Sequence, residues 1–169
     1  MSSKRSQELR EYFNIWQVIA MKEITIGAKI ENLYVLLDFI QGELEKYGCP
    51  SGLHDQIALA AEEIFVNIAL YAYCQDDPAL NTQNEPLTSE VGAVTVRVDI
   101  GDEIIIEYED SGIPFCPLIV SEPCTASSIE EREIGGMGIF IAKKMMDTIN
   151  YKNVDNNNIL QMIKKLKNM

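Results

Sequence analysis

Basic residues are scarce in this chain: Lys and Arg number 14 against 26 Asp and Glu, for a net charge of -12. Such a surface repels phosphate backbones and anionic bilayers, which sets nucleic acid and membrane aside as direct ligands. A single histidine, His54, and four cysteines with no C-x-x-C pair, Cys49, Cys74, Cys116 and Cys124, leave no zinc set of familiar spacing. Reduced thiols in a cytoplasmic protein are the plain expectation. No apolar run reaches membrane-spanning length, and the start, M-S-S-K-R-S-Q-E-L-R, lacks the apolar stretch of a secretory signal. A Walker loop is also missing, since G-K followed by Ser or Thr occurs nowhere.

The 169 residues that remain to be explained fit one domain with an extension. Residues 1–20 form the extension, read either as a short amphipathic helix, with Leu9, Phe13, Trp16 and Ile19 or Ala20 near helical spacing, or as a stretch from an upstream start codon. Residues 21–169 form the domain. The run M-K-E-I-T-I-G-A-K-I from Met21 reads as a strand and a turn, and Leu33, Leu36, Leu37, Ile40 and Leu44 mark an amphipathic helix within Glu31 to Tyr47. A second helix is predicted from about Leu53 to Tyr73, followed by a polar loop from Gln75 to Glu90. Val- and Ile-rich strands at Ala93 to Ile100 and Glu103 to Glu109 flank a Gly101-Asp102 hairpin signal. A stretch without periodicity, a candidate lid, leads to a helix over Gly138 to Asp147. A final hairpin, Ile149 to Val154 with Asn158 to Leu166, closes around Asp155 to Asn158. This order predicts an α+β two-layer sandwich, with helices on one face of a largely antiparallel, mixed sheet.

Three short runs carry the chemistry. In A-E-E-I-F-V-N, Ala61 to Asn67, the helix is so apolar that Ile57 to Tyr73 holds only Glu62, Glu63 and Asn67 as polar residues. Glu63 and Asn67 share a face at the border of the stripe Ile57, Ala61, Ile64, Ile68 and Tyr71, whereas Glu62 points away. An unpaired carboxylate beside apolar packing costs roughly several kcal/mol, which a bound cation would offset. Taken alone, such a pair is more often a structural hydrogen bond. In E-D-S-G-I-P-F, Glu109 to Phe115, Asp110 follows a strand and can accept a hydrogen bond from an exocyclic amine, and Gly112 admits a close neighbour. By itself this run is equally a turn. In G-G-M-G-I, Gly135 to Ile139, bare backbone amides open a helix, where phosphate oxygens are favoured, although a hinge would look the same. A Rossmann fingerprint is excluded, because Ile141 stands where its third glycine belongs.

In order and spacing, the three runs resemble the N, G1 and G2 boxes of the Bergerat-fold, histidine-kinase-like ATPases. E-E-I-F-V-N-I-A with Y-A-Y, D-S-G-I-P-F, and E-E-R-E-I-G-G-M-G-I-F with K-K-M-M-D are similar to the stand-alone anti-sigma branch, the serine-protein kinases of partner-switching modules. The resemblance covers Met21 to Leu166. It implies ATP and magnesium as cofactors, Glu63 as general base, Asn67 as the magnesium residue and Asp110 as the adenine residue. It further implies close approach at Gly112 and phosphate contacts from Gly135, Gly136, Met137 and Gly138, with Arg132 beside the γ-phosphate or a partner. The implied partners are a sigma factor and an anti-anti-sigma protein with a STAS domain, with a tendency to form homodimers. The alternative function is a non-catalytic ATP- or ADP-binding regulator of another protein. A histidine kinase fragment is disfavoured, because no helical hairpin carries a phosphoacceptor, and His54 reads as a surface residue near a helix start.

Overall fold

The computed structural model describes residues 21–73, 92–114, 116 and 136–166. The extension 1–20, the polar loop and the candidate lid lie outside these. Elements are numbered here in chain order: β1 (Lys22–Gly27), α1 (Leu33–Lys46), α2 (Ser51–Asn67), β2 (Ala93–Ile100), β3 (Glu103–Asp110), α3 (Gly136–Met145), β4 (Thr148–Val154) and β5 (Asn157–Lys165).

The strands form one sheet in the order β1-β2-β3-β5-β4, and every neighbouring pair is antiparallel. Period-two alternation sorts their side chains. Val94, Val96, Val98, Ile104, Ile106, Tyr108, Leu160 and Met162 turn inward and are buried, together with Leu36, Ile40, Ile57, Ala61, Ile64 and Phe65 from the helices. The other face is polar: Glu23, Arg97, Glu107 and Gln161 lie in one transverse row. Arg97 there donates to Glu23, Glu107 and Glu109, at 3.1, 3.1 and 2.6 Å. One apolar face and one charged face can bury only one layer of helices, so the sandwich has the two layers expected.

Several boundaries differ from those read in the sequence. The second helix is α-helical only to Asn67, and Ile68–Ala72 continues it as a π-helix. α3 starts at Gly136, two residues earlier than expected, so Gly136 and Met137 belong to its first turn. Asp110 is the last residue of β3 and not the first after it, because its backbone still pairs with Val94 and Asn158. The final turn is Asp155-Asn156 alone, with φ of 52° and 65°, the two left-handed positions of a tight hairpin turn. Asn157 and Asn158 therefore enter β5. His54 is half-buried in the first turn of α2, its Nε2 3.1 Å from the Cys49 carbonyl, where a surface position was expected.

Candidate functional site

The last α-helical turn of α2 carries Glu63 and Asn67. Asn67 Nδ2 donates to the backbone carbonyl of Glu63 at 2.7 Å, and not to its carboxylate. An Asn that bonds back one turn competes with the helix ladder, and directly beyond it the backbone loosens into the π-turn. The amide nitrogen being committed, the group Asn67 offers outward is its acceptor oxygen. Glu62 and Glu63 are both half-buried, so burial does not separate them. Gly138 does: a methyl group built there would run into Glu63 Oε2 and lie 3.2 Å from Cδ. The first turn of α3 thus rests on the Glu63 carboxylate, and glycine at 138 makes that approach sterically open.

Asp110 ends β3 only 7% exposed. Its Oδ1 accepts the Gly112 N–H at 2.8 Å and Asn158 Nδ2 at 2.9 Å. Both donors serve one oxygen, and Oδ2 takes no part in either bond. At Gly112 a Cβ would meet the Ala72 carbonyl and Ala72 Cβ, and the Ile113 N–H donates to that carbonyl at 2.7 Å. The D-S-G turn is therefore docked on the end of the π-helix. Tyr73 adds a second tie, donating to the Ala93 carbonyl at 2.7 Å and accepting the Ser111 N–H at 3.2 Å.

Two residues that sequence reasoning passed over support these groups. Asn158, 5% exposed, donates to Asp110 and to the Gly112 carbonyl, at 3.1 Å, while its Oδ1 accepts Tyr151 OH at 2.7 Å and Asn153 Nδ2 at 2.9 Å. Its signal was strand parity: 158, 160 and 162 share the inward face, but four polar residues in a row look like turn. Tyr108 is fully buried and donates to the Ala61 carbonyl at 3.2 Å, joining the strand of Asp110 to the helix of Glu63. Burial pushes its phenol well above the ordinary tyrosine range.

Glu63, Asn67 and Gly138 are thus brought into one region, and Asp110, Gly112 and Asn158 into a second, linked through Tyr108 and Ala72. Gly136 opens α3, and Met137 is 49% exposed beside it. Arg132 and Gly135 lie outside the described residues. The Histidine kinase-like ATPase domain profile matches residues 26–164, a span that takes in all three runs. The chain belongs to this family. Among solved structures, the ATPase domain is similar to the crystal structure of the RsbU and RsbW domains of Rv1364c from Mycobacterium tuberculosis. The identity is 12% and the TM-score 0.56, over 88% of this chain and 33% of that one. This chain spans about a third of that structure's length, and the likeness is one of fold. No curated protein matches the sequence.

The donor set fits the cofactor that the family implies. Oxygen ligands suit magnesium, which keeps most of its own water and is held by one or two protein groups plus phosphates. Asn67 Oδ1 is an oxygen acceptor of the kind such a site would use. Among the described residues no set of three or more His, Cys, Asp or Glu gathers as a metal cage. No helix among them is long and apolar enough to cross a membrane.

Proposed function

We propose that this domain is an ATP-dependent serine kinase and anti-sigma factor, which holds a sigma factor and phosphorylates a STAS-domain antagonist. The observation that carries the catalytic half is the packing of Gly138 on Glu63, which sets a carboxylate at the opening turn of the glycine-started helix. Family membership supports ATP as the nucleotide, and the resemblance of the three runs supports the anti-sigma branch.

In this reading Asp110 Oδ2 accepts a hydrogen bond from the adenine amine, with Oδ1 pinned by Gly112 and Asn158 so that the carboxylate keeps its orientation. The amides of Gly135, Gly136, Met137 and Gly138 would serve the phosphates, with Arg132 for the γ-phosphate or a partner protein, as the resemblance implies. Asn67 Oδ1 would hold magnesium, whose chemistry there would be to neutralise charge on the phosphate oxygens. Glu63 orients the partner's serine hydroxyl and takes its proton as the serine oxygen bonds to the γ-phosphorus and the bond to the β-phosphate oxygen breaks, leaving ADP.

The test is phosphotransfer with magnesium, ATP and a candidate STAS protein. Glu63→Gln is expected to lower the rate by about 10²–10⁴-fold, the usual range for a positioned base, and to leave nucleotide affinity intact. Asp110→Asn is expected to abolish nucleotide binding. Unchanged phosphotransfer in Glu63→Gln would sink the base assignment. Nucleotide binding lost in Asp110→Asn, with no phosphoprotein formed by the parent from any partner, would favour the non-catalytic regulator.

A further inference from the structure

At the end of the sheet opposite Asp110, a cleft of about 1010 Å³ opens between the start of α2, the β2–β3 turn and the end of β5. Tyr47, Cys49, Leu53, Ile100 and Leu166 line it, with Asp102, Asp147, Lys164 and Lys165 as its charged groups. Tyr47 is 61% exposed, although Leu53 and Leu166 pack on the core from the same walls. None of these residues belongs to the nucleotide site, which sits at the other ends of α2, β2 and β3.

The strand register gives the direction from which the chain enters β1. β1 pairs with β2 so that Lys22 faces Val98 and Gly27 faces Ala93. Running backwards from Lys22, the chain therefore heads along β2 toward Ile100 and the Gly101-Asp102 turn, the rim of the cleft. From β1 to β5 is three strand spacings, about 14 Å at some 4.8 Å each. Twenty residues reach about 30 Å even as a helix. Those residues carry apolar side chains at Leu9, Phe13, Trp16 and Ile19. They also hold Lys4, Arg5 and Arg10 against Glu8 and Glu11, a surplus of one positive charge in a chain whose total is -12. The cleft itself sets two lysines, Lys164 and Lys165, beside Asp102 and Asp147, so its apolar lining and the reach of the segment carry the fit, not its charge.

We propose that residues 1–20 fold back onto this cleft, seating the stripe of Phe13 and Trp16 among Leu53, Ile100 and Tyr47. The segment is then an intramolecular plug on the face away from the nucleotide, and it stands independently of the kinase reading.

Trp16 is the sole tryptophan, so its fluorescence reports the segment alone in the full chain. The expected result is blue-shifted emission, several-fold protection from acrylamide, and no dependence on protein concentration. Gly52→Phe fills the cleft from an exposed position where an added Cβ meets nothing within 4 Å, and a side chain there favours the helix. It should return Trp16 to solvent-like emission and quenching with the circular dichroism unchanged. As a second readout, Trp16→Asp should speed alkylation of Cys49, followed by peptide mass, several-fold over the parent chain. Solvent-like Trp16 emission in the parent overturns the proposal. So does protection unmoved by Gly52→Phe, which would seat the segment elsewhere, or protection that grows with concentration, which would seat it on a second copy. Cys49 alkylation equal in parent and Trp16→Asp overturns it without reference to Gly52.

Discussion

Gly138→Ala tests whether the contact of Gly138 with Glu63 serves the proposed catalysis or packing alone. The new methyl group would collide with Glu63 Oε2, the far end of a flexible side chain, and would stand 3.2 Å from Cδ. Relief requires the carboxylate to swing away, at about 0.5–1.5 kcal/mol for a displaced χ angle. Alanine in a helix is better than glycine by about 0.8–1.0 kcal/mol, so the two effects nearly cancel. Stability measured by urea unfolding should therefore change by less than about 1 kcal/mol. The displacement of the carboxylate proposed as base is of order 1 Å, a misplacement that can lower a rate about 10²-fold. Phosphotransfer to the partner, or ADP formation in a coupled assay, should fall by that order while the chain stays folded. A variant that is fully active would refute the claim that Glu63 must occupy its observed place. A loss of several kcal/mol would instead make the α2–α3 contact a packing requirement.

Other substitutions follow the same geometry. Gly112→Ala presses a methyl group onto the Ala72 carbonyl and Cβ, which cannot swing aside; denaturation should show a loss of about 1–3 kcal/mol, typical of overpacking. Asn158→Ala strips partners from Asp110 and Tyr151, and should lower stability by about 1–3 kcal/mol and weaken nucleotide binding, measured by calorimetry. Tyr108 keeps its proton in the folded state at pH values where an unfolded tyrosine, titrating near 10.0, has lost it. Its contribution is therefore full below that pH and declines as pH rises above it, by up to about 1.4 kcal/mol per pH unit. Unfolding followed from pH 9 upward should show this arm in the parent and a shallower one in Tyr108→Phe.

Much of the fold was legible because its periodicities are strong. The amphipathic helix around Leu36, Ile40 and Leu44 and the alternation of β2 and β3 announce their buried faces, and the element order leads to a two-layer sandwich. The π-turn after Asn67 was not legible, since a side chain returning to its own helix leaves no trace in apolar spacing. Asn158 was hidden for a related reason: a polar residue at an inward strand position makes sense only when its partner, Asp110, is known to lie across the ladder.

The pairing of Glu63 with Asn67 on one helix face, the exclusion of Walker and Rossmann loops, and the resemblance of three runs to a nucleotide pocket came from the sequence alone. Helical geometry and local residue chemistry suffice for those. That Gly138 rests on Glu63, that Gly112 rests on Ala72, and that Asn158 holds Asp110 needed the tertiary structure. These contacts join residues 40 or more positions apart, where nothing in a residue's neighbours along the chain reports what packing brings against it.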